Sequence, residues 1–365
     1  MTLFLALVLA GCGSGIIPIP PGGIPTSPDV PQAPAGKYVT YHAYGDSITA
    51  GAGLSDAATQ AYPELVGMDR RLVVSNYALN GAQACDVAAR QIFAYADRPS
   101  LVSPPLFSLL IGTNDVNIKG AGPYEAVFNL CQQAAIAWLA VPSDFKVLAN
   151  SANVIMTGGG DLDLSNNWNA WQTTGLGSSV SFTITMQHDG PIYAWPLIDD
   201  KNPSTYTYSL DGIVLGTGHT QTTPAMSTHN GTTNSLGFLR LPAVSEGRHI
   251  VTFTQTSTGS NGISIVGIGS PPAAPLDTLP TVLVGTVPAQ MHGGAQFACT
   301  SSDAPCLQYI QDIEANVKLF ANDNLDVRLF DTRKYMSGTW IEMTDPVHPN
   351  ARGEIELSHA VEASF

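Results

Sequence analysis

The hydrophobic and polar positions of this chain change their period along its length. From residue 38, short apolar runs of strand length alternate with stretches of helical periodicity. The apolar runs are YVTYHAY, LVVSNYAL, PLFSLLIG, TVLVGTVP and LDVRLFD, and the longest helix-like stretches are PYEAVFNLCQQAAIAWLA and CLQYIQDIEANVKLFAN. Such alternation predicts a parallel sheet that is covered by helices on both faces.

Five strands of this kind suit a flavodoxin-like, three-layer α/β fold. In such a fold, ligands bind beyond the carboxyl ends of the strands. Residues 37–143 and 276–365 carry this pattern, and together they would form one discontinuous domain.

Between residues 144 and 275 the helical periodicity disappears. Short alternating runs such as SVSFTITM, TYTYSLDGIVLGT and GRHIVTFTQT are separated there by Gly, Asn, Asp and Pro turns. This pattern predicts a β-sandwich. A surface loop between a helix and a strand tolerates such an insertion.

The N-terminal segment predicts export. An apolar run too short to span a bilayer leads into Leu-Ala-Gly-Cys, which resembles a bacterial lipoprotein signal-peptidase box, so residues 1–12 would be a signal and Cys12 would carry lipid. An ordinary signal peptide is the alternative, and the absence of Lys or Arg before the run departs from the usual pattern. Residues 13–36 contain enough Pro and Gly to form an extended tether. We therefore expect an extracytoplasmic protein that is lipid-anchored to a bacterial membrane or secreted.

Composition and charge limit the kinds of partner that this protein can bind. The 365 residues are 44% hydrophobic and 12% charged, with a formal net charge of -14 and no Lys/Arg cluster. A nucleic-acid partner is excluded on this ground, because binding a phosphate backbone requires clustered positive charge. The 35 Gly and 26 Pro indicate a loop-rich extracellular chain. We expect a monomer that touches the membrane only through its N-terminal anchor.

Four cysteines remain once Cys12 is assigned to lipid. An even number in an exported chain predicts disulfides, and three pairings are possible. We favour Cys299 with Cys306, which closes a short loop, and Cys85 with Cys131, which would join two neighbouring helices. Four buried free thiols are the alternative.

Four short motifs follow the ends of predicted strands: GDSIT at 45–49, Asn-Gly at 80–81, GTND at 112–115 and DPVHP at 345–349. Each is weak alone, since a Ser after a strand is commonly a helix N-cap and Asn-Gly is commonly a turn. Their occurrence together, in one order and at one edge of the sheet, indicates a shared site.

These four motifs resemble those of the SGNH hydrolase family. The resemblance covers the α/β portions only. It implies that Ser47 is a nucleophile, that His348 is its general base and that Asp345 orients His348. It also implies an oxyanion hole formed by the backbone N–H groups of Ser47 and Gly81 and the side-chain amide of Asn114.

The residue types suit this chemistry on their own terms. A serine hydroxyl needs a neighbouring imidazole to accept its proton, and an Asp three residues before the His, on one face of a helical turn, can fix the imidazole tautomer. Pre-placed N–H donors stabilise the charge that attack creates on a carbonyl oxygen. The α/β-hydrolase elbow requires Gly where Thr49 stands. The sequence contains no His-x-x-x-His spacing of the kind that binds a metal ion, and we expect no cofactor.

Other polar residues are assigned structural roles. His42, Asp46 and Asp115 lie near the motifs and are expected to hold loops by hydrogen bonds. The remaining histidines are treated as surface or packing residues; these are His188, His219, His229, His249, His292 and His359.

The insert loosely resembles carbohydrate-binding modules of the jelly-roll kind. Exposed aromatic side chains could stack on sugars, whereas buried ones would fill the sandwich core. The candidates are Trp168, Trp171, Tyr193, Trp195, Tyr206 and Tyr208.

Three functions fit these observations. The first is an esterase that removes acetyl or other short acyl groups from a glycan. The second is a broad short-chain esterase or lipase whose insert shields the site. The third is a non-catalytic surface lipoprotein that binds glycans, and the complete set of motifs argues against it.

Overall fold

A computed structural model of the protein describes residues 37–92, 104–163, 168–257, 262–290, 299 and 304–365. The predicted signal, Cys12 and the 13–36 tether lie outside these residues, as does His292. The strands are β1 (Thr40–Gly45), β2 (Val73–Asn76), β3 (Leu106–Leu110), β4 (Lys146–Leu148), β5 (Val154–Thr157), β6 (Gly160–Asp163), β7 (Ala170–Thr173), β8 (Ser179–Met186), β9 (Gly190–Asp199), β10 (Thr205–Leu210), β11 (Ile213–His219), β12 (Asn234–Leu236), β13 (Leu239–Val244), β14 (Gly247–Gln255), β15 (Ser264–Gly269), β16 (Thr281–Gly285) and β17 (Val327–Phe330). The helices are α1 (Ala57–Gln60), α2 (Tyr62–Arg70), α3 (Ala84–Asp86), α4 (Thr113–Lys119), α5 (Tyr124–Ala140), α6 (Ala304–Asn322), α7 (Thr332–Tyr335) and α8 (Ala351–Glu362). Helix α3 continues as a π-helical turn over Val87–Gln91.

Five strands form a parallel sheet in the order β17-β16-β3-β1-β2. Counted along the chain within this sheet, the order is 2-1-3-4-5, as in flavodoxin-like sheets. Successive side chains point to opposite faces, so Tyr41 and Ala43 face α2 and α8, whereas Tyr44 packs with α3, α5 and α6. Burial of both faces explains why the inner strands β1, β3 and β16 are nearly continuous apolar runs, whereas the edge strand β2 has no buried residue.

The insert consists of two packed antiparallel sheets. One has the order β11-β10-β14-β8-β5, and the other contains β12, β9, β15, β7 and β6, with β13 paired to β9 and β4 paired to β15. Their facing sides share a core that includes Phe182, Ile192, Val251, Phe253 and Ile265. The structure thus contains a parallel α/β sheet and antiparallel β-sheets, which is consistent with the predicted fold class.

Strand β9 is buried on both faces. Ile192 and Ala194 point into the sandwich core, whereas Tyr193 and Trp195 point out of it and pack against α5 and α6. Trp195 meets Trp138 edge-on, with 5.2 Å between ring centroids, and its Nε1 donates to the carbonyl of Ala134. The sandwich is thus packed onto the α/β domain through an apolar surface as well as joined to it by two connections.

An ion pair between a buried carboxylate and an exposed arginine borders this contact. Asp323 follows α6, and its carboxylate accepts hydrogen bonds from Arg240 at 2.6 and 2.9 Å and from the hydroxyl of Tyr193 at 2.6 Å. Charge-assisted bonds of this kind fix orientation as well as contributing energy.

The candidate sugar-stacking aromatics are not exposed platforms. One group packs with the sandwich core, and the other belongs to the apolar cluster shared with the α/β helices. The first group is Trp171, Tyr206 and Tyr208, and the second is Trp168, Tyr193 and Trp195. The first group consists of core residues of the sandwich, which is the alternative that the sequence left open. The second group is buried in a contact between the insert and the α/β domain that the sequence did not suggest.

Both favoured disulfides are present in the structure. Cys85 of α3 is bonded to Cys131 of α5, and Cys299 is bonded to Cys306. The first joins two neighbouring helices, as expected, and restricts the unfolded chain across a separation of 46 residues. Of the helices within the described ranges, none is sufficiently long and apolar to cross a membrane.

Candidate active site

Ser47 lies immediately beyond the carboxyl end of β1. Gly45 ends this strand, and a Cβ on it would lie 2.2 Å from Thr49 Oγ1 and 2.5 Å from the Leu110 carbonyl, so no larger residue fits. The side chain of Gln91 bonds to both backbone groups of Gly45, at 2.7 and 2.9 Å. The strand end is therefore fixed, and the turn that follows presents Ser47 at the edge of the sheet.

Ser47, His348 and Asp345 form a continuous chain of hydrogen bonds. The Ser47 hydroxyl lies 2.9 Å from His348 Nε2, and His348 Nδ1 lies 2.8 Å from an Asp345 oxygen. With Nδ1 protonated toward Asp345, Nε2 has a free lone pair for the serine proton. This is the arrangement that nucleophilic catalysis by serine requires.

The Asp345–His348 segment is a bend rather than the helical turn that the spacing suggested. The second oxygen of Asp345 accepts the backbone N–H groups of Val347 and His348, both at 2.8 Å, so the carboxylate itself shapes the turn. Burial would raise the pKa of Asp345, but the hydrogen bonds from His348 and from these two N–H groups outweigh it and lower the pKa. Asp345 is therefore held as the carboxylate that orients His348.

Among the described residues, each of the three predicted oxyanion donors has an N–H without a protein acceptor. Asn114 Nδ2 donates one hydrogen to the Ala82 carbonyl at 3.0 Å, which leaves its second hydrogen for another acceptor. Within the described part of the chain, the backbone N–H groups of Ser47 and Gly81 donate to no other residue. Gly81 has φ of 73°, a conformation that favours glycine.

The neighbouring polar residues hold the loops. Asp46 accepts the N–H of Ile48 at 2.9 Å, and Asp115 accepts the N–H of Ala84 at 3.1 Å. Burial raises the pKa of Asp46 to about 7 and that of Asp115 to about 8. His42 is 9% exposed and packs against the rings of Tyr77 and Phe107.

A cleft of about 680 Å³ opens over these groups. Its size is within the range of pockets that hold small molecules, and it is far larger than an acetyl group. Its walls are formed by Ser47, Asn114, Asn117, Ile118, His229, Asp345, Pro346, Val347 and His348.

His229 was missed by the sequence analysis. Treated there as a surface or packing residue, it comes from the insert and lies in the same wall as the serine and the histidine. Nothing in the local sequence THNGTT marks it, because only the packing of the insert brings it to the cleft.

This arrangement is chemically suited to acyl transfer. An ester carbonyl that reaches Ser47 would find a nucleophile, a base and N–H donors in one place. Within the residues that the structure describes, no group of three or more His, Cys, Asp or Glu side chains is placed to hold a metal ion.

No protein-family model and no curated protein sequence matches this chain. Several solved structures are similar to it. A two-domain esterase active on acetylated mannans matches over 65% of this chain and 92% of its own, with 12% identity and a TM-score of 0.37. A member of the lipolytic protein G-D-S-L family from Veillonella parvula matches over 88% of this chain and 96% of its own, with 11% identity and a TM-score of 0.38. A family 35 carbohydrate-binding module from an environmental isolate matches over 36% of this chain and 98% of its own, with 12% identity and a TM-score of 0.27. All three TM-scores are below 0.5, and no identity exceeds 12%.

Proposed function

We propose that this chain is a serine esterase that removes acetyl or other short acyl groups from a glycan outside the cytoplasm. The observation that carries the proposal is the unbroken chain of hydrogen bonds from Ser47 through His348 to Asp345 at an open cleft. The two disulfides support an oxidising compartment. Lipidation of Cys12 stays a prediction.

In the first step Ser47 Oγ attacks the ester carbonyl carbon while its proton passes to His348 Nε2. The carbonyl oxygen becomes an oxyanion that accepts the N–H groups of Ser47, Gly81 and Asn114. Collapse of this intermediate breaks the bond to the alcohol, which takes the proton from His348, and an acyl-serine ester remains. Water then attacks the acyl carbon while His348 Nε2 takes a proton from it. The bond from the acyl carbon to Ser47 Oγ breaks, Ser47 regains the proton from His348, and the carboxylic acid leaves.

The charge and the cleft support a glycan as the alcohol part of the ester. The net charge of -14 disfavours anionic substrates and is compatible with neutral saccharides. A cleft of about 680 Å³ leaves most of its volume to the alcohol part when the acyl group is acetyl. The β-rich insert forms part of its wall through His229.

The test of the mechanism is Ser47→Ala with p-nitrophenyl acetate as substrate. We expect turnover to fall by at least about 10⁴-fold, as in other serine hydrolases that lose the nucleophile, and His348→Ala to be similarly damaging. Ser55→Ala, at an exposed serine of the same segment, is the matched control and should retain turnover. A serine-reactive phosphonate should label Ser47 alone; labelling elsewhere, or turnover in Ser47→Ala, would refute the assignment.

Acetate release from acetylated xylan and acetylated glucomannan tests the substrate class. Preference for these over p-nitrophenyl esters of longer acyl chains would support a glycan esterase. Preference for the longer acyl chains would instead identify a broad esterase with a shielding insert.

A further inference from the structure

One loop of the insert reaches the active-site cleft. Residues 226–232, called here the His229 loop, connect β11 to β12 and lie against the residues that follow Gly81. A Cβ built on Gly81 would lie 3.2 Å from Cδ2 of His229, so the imidazole borders the predicted oxyanion hole. The site is therefore shared by the two parts of the chain.

Buried hydrogen bonds fix this loop to the α/β domain. The carboxylate of Asp86, which is fully buried, accepts the hydroxyls of Thr228 at 2.7 Å and Thr232 at 2.5 Å. Gln83, also fully buried, accepts the backbone N–H of His229 at 2.9 Å. Such bonds are costly to break, because a buried acceptor without its donor loses its solvation as well.

A second set of hydrogen bonds, from both parts of the chain, holds the N-terminal end of the loop. Asp200 accepts the N–H groups of Met226 and Ser227, and it bonds to the Ser227 hydroxyl. Lys119 of α4 donates to the Ser227 carbonyl at 2.7 Å. The backbone of His229 is therefore positioned by both parts of the chain, as a substrate-binding residue needs to be.

The imidazole of His229 differs from the bonded histidines of the insert. His188 and His249 each use both ring nitrogens on neighbouring oxygens. The ring of His229 is exposed, and neither of its nitrogens bonds to another of the described residues. A fixed backbone thus presents a donor and an acceptor to the cleft, and neither has a partner among the residues that the structure describes.

We propose that His229 is a positioning residue that binds a hydroxyl group of the alcohol part of the ester, beside the scissile bond. The inference rests on the proposed esterase function. The carbonyl oxygen has its own donors at Ser47, Gly81 and Asn114, and His348 is committed to proton transfer. A short acyl chain offers nothing that an imidazole could bond, whereas a sugar carries hydroxyls next to the esterified oxygen, and each can donate and accept.

A pair of substrates that differ by one hydroxyl isolates this contact. Cyclohexyl acetate and the monoacetate of 1,2-cyclohexanediol share the acyl group and the ring, and only the second has a neighbouring hydroxyl. We expect the wild-type protein to prefer the hydroxylated ester in kcat/KM. His229→Ala should reduce that preference by about ten-fold, which corresponds to about 1.4 kcal/mol.

Two further variants separate binding from structure. His229→Gln retains a donor and an acceptor and should restore part of the preference. His219→Ala removes another exposed histidine of the insert, whose ring also has no partner among the described residues and which lies outside the cleft, and it should keep the wild-type preference. Unfolding temperatures of all variants identify any loss that arises from instability.

The outcomes are distinguishable. A preference that is absent in the wild type, or unaltered in His229→Ala, would overturn the role of His229 while leaving the esterase proposal in place, provided that Ser47→Ala is inactive. Equal losses on both esters in His229→Ala would place the residue at the acyl group or the oxyanion and would also overturn the inference. Turnover in Ser47→Ala would reject the esterase proposal and this inference together.

Discussion

Replacing Asn114 by Ala tests the oxyanion hole without touching the nucleophile or the base. The amide of Asn114 donates one hydrogen to the Ala82 carbonyl at 3.0 Å, and its second hydrogen has no acceptor among the described residues that line the cleft. Loss of one such donor lowers turnover by about 10²- to 10³-fold in comparable sites, or about 2.7–4 kcal/mol of transition-state stabilisation. Loss of the bond to Ala82 should cost only about 1 kcal/mol of folding stability.

The assay is steady-state hydrolysis of p-nitrophenyl acetate by the purified protein. Because the charge on the carbonyl oxygen develops in the transition state, kcat should fall while KM changes little. Asn117→Ala is the matched control, since Asn117 lies on the same helix and in the same cleft. We expect it to lose less than about ten-fold, because no oxyanion contact is assigned to it.

Two results would refute this reasoning. An increase in KM with unchanged kcat would mean that Asn114 binds the ground state and the transition state equally. If Asn117→Ala lowered kcat as much as Asn114→Ala does, turnover would be sensitive to any substitution in this helix and not to the loss of an oxyanion donor.

Two further predictions concern stability. Because burial raises the pKa of Asp46 to about 7 and that of Asp115 to about 8, the folded protein holds protons that the unfolded chain, titrating near 3.9, releases. The free energy of unfolding should therefore fall as pH rises from about 4 to about 8, by up to about 1.4 kcal/mol per pH unit for each group. Asp115→Asn should flatten this pH dependence when unfolding by guanidinium is measured. A rise in stability over this interval would contradict the burial argument. Trp195→Ala should lower the free energy of unfolding by about 3–5 kcal/mol, because it leaves a cavity between the insert and α5. Trp340, which is 70% exposed, provides the control: Trp340→Ala should change the free energy of unfolding by less than about 0.5 kcal/mol in the same experiment. Equal effects of the two tryptophan variants would show that the contact contributes little.

The packing of the insert also changes how its role can be tested. From the sequence alone, deletion of residues 144–275 would be the natural experiment: turnover on glycan esters and on small esters would be compared in a variant whose α/β domain is expected to remain folded. Tyr193 and Trp195 cover apolar residues of α5 and α6, so this deletion would expose a large hydrophobic surface on the remaining domain. Point variants in the His229 loop are therefore the better experiment.

The sequence by itself determined the local features. Alternation of apolar runs and helical stretches indicated the parallel sheet, because both faces of such strands must be apolar. The motifs around Ser47 and Asn114 indicated one site, because the carboxyl ends of parallel strands meet at one edge. The motif around His348 is brought to that edge by the segment that follows α7. These inferences depend on neighbours within a few residues, or on a rule that every sheet of this kind obeys.

Tertiary structure alone decided where the insert lies and what its residues do. The run of apolar residues in β9 could have signalled burial on both faces, but it does not say against which helix. The sequence indicates only that His229 lies in a polar loop. It becomes part of the cleft because Asp86 and Gln83, more than 140 residues earlier, accept hydrogen bonds from that loop. Contacts of this range depend on how the surfaces of the insert and the α/β domain match, and no local pattern of residue types records that match.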